Sequence, residues 1–230
     1  MSTHSIDADN RNAWTRILRA AELVYPDEQV VRFLAARYGQ DGPPAAANGL
    51  DVGFGSGRHL RLLMDYGFKA HGLEVVPDAI EVAGRRFGGH PLLGEMKVAD
   101  MRDHPFPDGC FEVAVAWGVV FLRPPEEILA DLRALHRMLA PGGGLAVNFR
   151  THENWMVGLG RQTGESSWVL DERAEDYKGI SYTFLTDEQA AELLERAGFR
   201  IDDYQRVELW RDRGTRRHSW WSFWVTRPGR

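Results

Sequence analysis

Three glycines at alternate positions, Gly53, Gly55 and Gly57, sit inside the segment Gly-Leu-Asp-Val-Gly-Phe-Gly-Ser-Gly-Arg-His at 49–59. No other feature restricts the fold of this chain as much. Ahead of them Leu50 and Val52 close an apolar run, and behind them His59, Leu60, Leu62, Leu63 and Met64 follow a helical pattern. The order is strand, glycine turn, helix. Without Cβ atoms such a turn lets the backbone approach a nucleotide-like ligand closely.

The spacing separates the classes of nucleotide ligand. A dinucleotide fingerprint, Gly-x-Gly-x-x-Gly, needs its third glycine at 58, where Arg58 stands. A phosphate-binding Gly-Lys-Ser/Thr tripeptide does not occur. Asp51, two residues before the first glycine, is a poor neighbour for a pyrophosphate. It suits a ligand with a cationic end, such as the amino group of a methionine moiety.

Asp51-x-Gly53-x-Gly55-x-Gly57 resembles motif I of the class I S-adenosylmethionine-dependent methyltransferases. Later segments agree in order. Lys69 to Glu74 reads as a second strand, with Pro77-Asp78 opening a helix, and Val98-Ala99-Asp100-Met101 is similar to the acidic position after the third strand. Phe106 to Val113 resembles the lead into strand four, and Leu139 to Leu145 the turn before strand five. The resemblance covers about 48–149. It implies that S-adenosylmethionine is the cofactor and S-adenosylhomocysteine its product. It implies cofactor contacts at Asp51, Gly53, Gly55, Gly57, Glu74, Val75, Asp100, Met101 and Trp117. Glu74 would accept the ribose hydroxyls and Asp100 would meet the adenine amino group.

At 230 residues the chain fits one α/β domain with accessory segments. A net charge of −5 disfavours wholesale nucleic-acid binding. Cys110 is the single cysteine, so no internal disulfide forms, and a cytoplasmic location is the simple expectation. The start, 1–12, is polar without an apolar signal core, and the longest apolar run, 113–122, is too short to span a bilayer. A monomer or homodimer outside the membrane is expected.

Helical patterns cover 11–38, broken at Pro26-Asp27, then about 58–66, 78–87, 125–139 and 186–197, the last opened by the capping box Thr186-Asp187-Glu188-Gln189. Strands are expected near 48–52, 69–74, 95–99, 111–117, 144–149, 201–210 and 219–226. Alternation of strand and helix predicts a doubly wound, mostly parallel sheet, and the closing pair predicts an antiparallel edge hairpin. With the resemblance this becomes a seven-stranded sheet with helices on both faces. The divisions expected are an N-terminal helical lid (1–44), a cofactor core (45–149), an acceptor-side insertion (150–185) and a C-terminal helix and hairpin (186–230). The resemblance places the N-terminal helices over the cofactor, which makes Trp14 and Tyr25 lid candidates.

Ligands of open α/β sheets bind beyond the carboxyl ends of the strands. Long connections there are usually functional. The stretch 150–185 carries His152, Asn154, Trp155 and Tyr182, aromatic walls with polar groups that suit a small-molecule acceptor. Together with Tyr25 these are the acceptor candidates, His152 being the candidate base for an amine or hydroxyl nucleophile. The tip Arg211 to His218 is a basic turn that either receives an acidic group or guards a sheet edge. Trp117-Gly118-Val119-Val120 follows strand four, where nucleic-acid amino-methylating enzymes carry Asn/Asp-Pro-Pro-aromatic and metal-dependent catechol-type enzymes an acidic ligand. The expectation is methyl transfer to the O, N, S or C atom of a small metabolite. The alternatives are a non-catalytic S-adenosylmethionine-binding module and, less favoured, a nicotinamide-dependent reductase. No His/Cys cluster has metal-ligand spacing, so no metal is expected. Turnover should survive excess EDTA; loss with EDTA and recovery with magnesium would refute this.

Overall fold

The computed structural model describes residues 11–18, 22–39, 41–103 and 105–229. The parts of the N-terminal reading that fall on 1–10, 19–21 and 40 lie outside them. Residues 11–18 are helical (α1), and α2 spans Glu28–Tyr38. Asp27 caps α2 by accepting from the Gln29 N–H at 3.0 Å, and Gly39 ends it at φ 56°.

The core alternates as the sequence predicts. Its elements are β1 (Asn48–Val52), α3 (Arg58–Asp65), β2 (Lys69–Glu74), α4 (Asp78–Phe87), β3 (Leu93–Val98), β4 (Phe111–Ala116), α5 (Pro125–Met138) and β5 (Leu139–Thr151). After the insertion come α6 (Asp187–Arg196), β9 (Arg200–Arg211) and β10 (Arg216–Thr226). The seven main strands lie in the order β3-β2-β1-β4-β5-β10-β9, with β10 antiparallel to both neighbours. The apolar run of β4 is buried between two helix layers, as a central parallel strand requires. Helices α5 and α6 pack on one face around Leu132, Leu135, Leu145, Val147 and Leu194. Helices α2, α3 and α4 pack on the other around Phe33, Leu34, Leu60, Leu63 and Ala83. Strand β5 starts earlier than expected, at Leu139, because Phe111 pairs with Leu139 and Val113 with Gly144, leaving the Pro-Gly stretch as a bulge.

The stretch 150–185 is more ordered than its sequence suggests. It holds β6 (Arg161–Gly164), β7 (Ser167–Val169), a 3-10 segment (Glu172–Tyr177) and β8 (Ser181–Leu185). These form an antiparallel ladder β6-β7-β8. Arg150 pairs with Trp220 of β10 on one edge of β5 and with Phe184 of β8 on the other. Strand β8 therefore occupies the edge that β4 uses up to Val147, and the ladder stands above the carboxyl end of β4. Its apolar side is a third cluster of Phe121, Met156, Leu170, Ile180, Tyr182 and Phe184, and Ala13, Trp14 and Ile17 of α1 join it. Among the described residues no helix is long and apolar enough to cross a membrane.

Gly160, at φ 107°, closes the ladder onto β7: a Cβ there would lie 2.1 Å from the Val169 carbonyl oxygen. Gly160→Ala should destabilise the protein by about 1–3 kcal/mol, the usual range for strained backbone, measured as a lower urea midpoint; an unchanged midpoint would show that the ladder is not part of the cooperative fold.

Candidate cofactor and acceptor site

Gly53, Gly55 and Gly57 all adopt left-handed φ, at 67°, 50° and 80°. Two of them also lie against side chains. A Cβ on Gly53 would meet Val119 Cγ2 at 2.4 Å, and one on Gly57 would meet Phe87 Cε2 at 2.5 Å. Beside Gly55 the nearest atom would be 4.0 Å away, so its surroundings are left open. The turn is tied to β2 at both levels of structure. The Gly53 N–H donates to the Leu73 carbonyl at 2.7 Å, and the Gly55 N–H donates to Glu74 Oε2 at 3.0 Å. Glu74 Oε1 accepts from the Val75 and Val76 N–H groups at 2.7 and 3.1 Å. Burial pushes the Glu74 pKa up, and these three N–H groups oppose it. A carboxylate accepts about four hydrogen bonds, so Oε2 keeps one site for a ligand.

Asp51 is buried at the end of β1. The Leu60 N–H donates to its carboxylate, but Oδ2 is buried without a partner. The nearest side-chain partner is His59, Nδ1 lying 3.9 Å from Oδ1. His59 Nε2 accepts from the Asp27 N–H at 3.2 Å, which assigns the ring proton to Nδ1. Burial, assisted by Arg58, pushes the His59 pKa down to about 3, so it is no cation near neutrality. Burial pushes the Asp51 pKa up to about 8, against the attraction of Arg58 and with repulsion from Glu74. A carboxylate in this state is held ready for a positive charge.

The segment 22–27 crosses this site by its main chain. The Leu23 carbonyl accepts from Ser56 Oγ and from Arg86 at 3.3 Å, and the Tyr25 carbonyl from Arg58 at 3.4 Å. Tyr25 is 83% exposed, so the expectation that it lines the acceptor is corrected: its main chain meets the site, through the carbonyl that accepts from Arg58.

Asp100 also departs from expectation. Oδ1 accepts from the Arg102 N–H and Nε, and Oδ2 from Arg102 at 3.2 Å and from Arg123. Those four bonds saturate the carboxylate and leave none for an adenine amino group. Burial opposes its ionisation, but Arg102 and Arg123 outweigh it and hold the Asp100 pKa low. Glu127 and the buried Asp131 complete this cluster, with Asp131 3.0 Å from Arg123 Nε. Burial, chiefly, pushes the Asp131 pKa up to about 7. Met101 is buried in the α5 face of the core, Trp117 in the opposite face, and Val75 stays half-buried beside Glu74. Gly118, after Trp117, donates to Asn148 Oδ1 at 2.7 Å.

The acceptor candidates separate. His152 is exposed and meets Gln189 Oε1 at 3.3 Å, in a shallow pocket of about 260 Å³ with Thr186, Asp187, Arg206 and Trp221. It faces the start of α6, away from the glycine turn, because the side chain after Thr151 turns to the β9–β10 side. Trp155 instead meets His218 at a tilt of 57°, ring centroids 5.8 Å apart, and lies under Arg216 at 4.3 Å. Asn154 is a buried anchor that accepts from the Met156 N–H and donates to the Ser219 carbonyl. Tyr182 is buried against Phe121 and Tyr177, and burial pushes its pKa up. The basic tip is tied down: Arg216 pairs with Glu175 at 2.7 Å and Arg217 with Glu153 at 3.2 Å. Sequence reading missed Ser56, His59, Asn148 and Arg150. For the last two the signal was present, as polar residues alternating at 148 and 150 on an otherwise apolar strand. Among the described residues no group of three His, Cys, Asp or Glu side chains is placed to hold a metal ion.

Residues 50–143 match a family model described as a methyltransferase domain. The sterol 4-C-methyltransferase strm-1 of Caenorhabditis elegans is 28% identical over 101 residues, which is 43% of this chain and 29% of that protein's length. The fold is shared with a SAM-dependent methyltransferase of Methanosarcina mazei, with TM-score 0.71 and 19% identity over 90% of this chain and 100% of that one. It is also shared with the 1,6-didemethyltoxoflavin-N1-methyltransferase of Burkholderia thailandensis, whose structure holds 1,6-didemethyltoxoflavin and S-adenosylhomocysteine. That likeness has TM-score 0.71 and 18% identity over 99% of this chain and 91% of that one.

The raised carboxylates, Asp51 and Asp131 with Glu74, make stability pH-dependent. A folded pKa above the unfolded value contributes stability that is complete below the unfolded pKa and lost as pH rises through the folded one. Asp131 loses its share by about pH 7 and Asp51 by about pH 8. The unliganded protein should therefore lose stability progressively from about pH 4 up to about pH 8, and Asp51→Asn should flatten the slope in urea unfolding, including the stretch between pH 7 and 8 where Asp131 has finished titrating; an identical slope in the variant would rule out Asp51 as the titrating group.

Proposed function

We propose that this chain is a class I, Rossmann-like, S-adenosylmethionine-dependent methyltransferase, supported by the methyltransferase-domain match over residues 50–143 and the shared fold, and that it transfers a methyl group to a small-molecule acceptor. The carrying observation is the buried Asp51 carboxylate, one oxygen unpaired, beside three left-handed glycines with open space at Gly55. These residues fit the cofactor. Asp51 balances its cationic methionine end. Glu74 takes a ribose hydroxyl on the free site of Oε2. The Gly53–Gly57 turn admits its backbone-close approach, with Val75, Met101 and Trp117 as apolar surroundings. Asp100 acts at one remove, fixing the Met101–Asp103 turn through Arg102 and Arg123.

S-adenosylmethionine, when bound, supplies an electrophilic methyl on a sulfonium. The protein's part is then to place the acceptor and keep water out, and positioning of this kind is worth about 7–11 kcal/mol of a barrier. The β6–β8 ladder stands over the carboxyl end of β4, where an acceptor belongs. The strap 22–27 shields the turn from the other side through Leu23 and Tyr25 main-chain bonds. His152 has no place in this reading, because it faces α6. The toxoflavin-type and sterol-type names of the relatives support a small acceptor.

Glu74→Ala should weaken S-adenosylhomocysteine binding about 10- to 150-fold, equivalent to about 1.5–3 kcal/mol for hydrogen bonds to a charged group, read by calorimetry on folded variant. An unchanged dissociation constant would remove Glu74 from the site. Methyl transfer itself is tested by incubating the protein with methyl-labelled cofactor and a metabolite library under mass spectrometry; binding without any labelled product would favour the non-catalytic module.

A further inference from the structure

The carboxyl end of β5 holds a cation without a counter-charge. Ala146, Asn148 and Arg150 share one face of the strand. Trp220 lies opposite Arg150 and Ser222 opposite Asn148, so His218, Trp220 and Ser222 of β10 share that face. The Arg150 guanidinium sits between two rings, 5.0 Å from the Phe121 centroid and 5.7 Å from that of Trp220, and hydrogen-bonds the Tyr182 hydroxyl. Among the described residues no carboxylate lies within ion-pair distance of it. Its Nε is buried without a partner, and so is the indole Nε1 of Trp220, a residue only 8% exposed. Trp155 and Trp14, which pack at the rim of the Phe121–Tyr182 cluster, also carry buried, unpaired indole N–H groups.

These groups have one chemistry in common. Guanidinium and indole N–H groups donate and never accept. Buried donors without partners are rare in folded proteins, because each forfeits its bonds to water. The Arg150 Nε and the Trp220 indole N–H, side by side across β5 and β10, ask for an acceptor-only, negative partner. His218 supplies no such charge: burial, then Arg211, Arg150 and Arg216, push its pKa down to about 4, leaving it neutral. The planar fork of an arginine matches a carboxylate bidentately. The Trp220 indole beside the guanidinium suits a flat ring. Position agrees as well. Asn148 holds the Gly118 N–H, and Val119 packs against Gly53; Arg150 lies two residues farther along β5, about 7 Å.

We propose that Arg150, with the Trp220 indole, anchors the methyl acceptor, and that this acceptor is an aromatic carboxylate. The proposal rests on the methyltransferase reading above and names the substrate class of that site. Among the described residues no hydrogen bond, ion pair or ring contact joins Arg150 or Trp220 to Asp51, Glu74 or the glycine turn, so acceptor and cofactor binding are separable.

The test is a calorimetric titration of protein saturated with S-adenosylhomocysteine, using benzoate, salicylate and 2-naphthoate and the neutral amides of the same three acids. At least one acid should bind about tenfold or more tightly than its amide, as a charged hydrogen-bond pair predicts. Arg150→Met should lose about 10- to 100-fold in acid affinity while S-adenosylhomocysteine affinity stays within about twofold. Arg150→Lys, which keeps the charge and loses the fork, should fall between them and guards against a misfolded methionine variant. Trp220→Phe should lose several-fold. Equal binding of acid and amide, retention of acid affinity in Arg150→Met, or no saturable binding of any acid at millimolar concentration would each overturn the proposal. If the wild type fails to bind S-adenosylhomocysteine, the methyltransferase reading falls instead, and the same acid titration without it still decides the anchor.

Discussion

A single carboxylate holds the site together. Glu74 ends β2, and its two oxygens collect the N–H groups of Gly55, Val75 and Val76. Three successive left-handed positions in the Gly53–Gly57 turn would otherwise be a mobile loop, since glycine loses more backbone freedom on folding than any other residue. Clasped to β2, the turn sets where α3 begins, and α3 carries His59 to Asp51 and to the Asp27 N–H. The cap of α2 and the strap before it are thereby built on the same clasp. Burial penalises the Glu74 charge, and three backbone donors offset it.

Charge is distributed unevenly around this centre. On the α5 side Asp100, Glu127 and Asp131 share the two guanidiniums of Arg102 and Arg123 in one cluster. Such a cluster specifies geometry more than it adds stability. It also reaches the roof of the site, because the Arg123 carbonyl accepts from Thr183 Oγ1 at 2.6 Å in β8. At the centre, by contrast, Asp51 has an oxygen with no partner, and at the end of β5 Arg150 has no carboxylate. An acid that ionises fully only beside a cation, and a guanidinium with no carboxylate among the described residues, lie on the two sides of the β4 carboxyl end. Ligand charges of the opposite signs are the physical complement of that pair.

The roof itself is a packing solution. Strands of 4, 3 and 5 residues cannot persist alone. They persist because Leu170, Ile180, Tyr182 and Phe184 bury against Phe121 from below and against Ala13 and Ile17 of α1 from the side. The N-terminal helix thus covers the β6–β8 ladder, while the strap 22–27 covers the glycine turn.

Local chemistry made much of this legible in the sequence alone. The glycine spacing at 53–57, the apolar run of β4, the capping box at Thr186–Gln189 and the strand–helix alternation each encode a local preference, and a mostly parallel sheet closed by an antiparallel edge hairpin followed. Motif spacing likewise brought Asp51, Glu74 and the glycines to one end of the sheet, because adjacent parallel strands in register deliver their carboxyl ends together. What side chains far apart in sequence do to one another was decided only in three dimensions. Asp100 reads as an acceptor until Arg102 and Arg123 saturate it. His152 reads as a base until the turn after Thr151 sends it toward Gln189, and Tyr182 as a substrate contact until the ladder buries it. Arg150 carries no motif at all; its significance comes from Trp220 across one strand edge and Phe121 above it, pairings set by register and by the ladder's position over β4, and neither is written in any contiguous stretch of the chain.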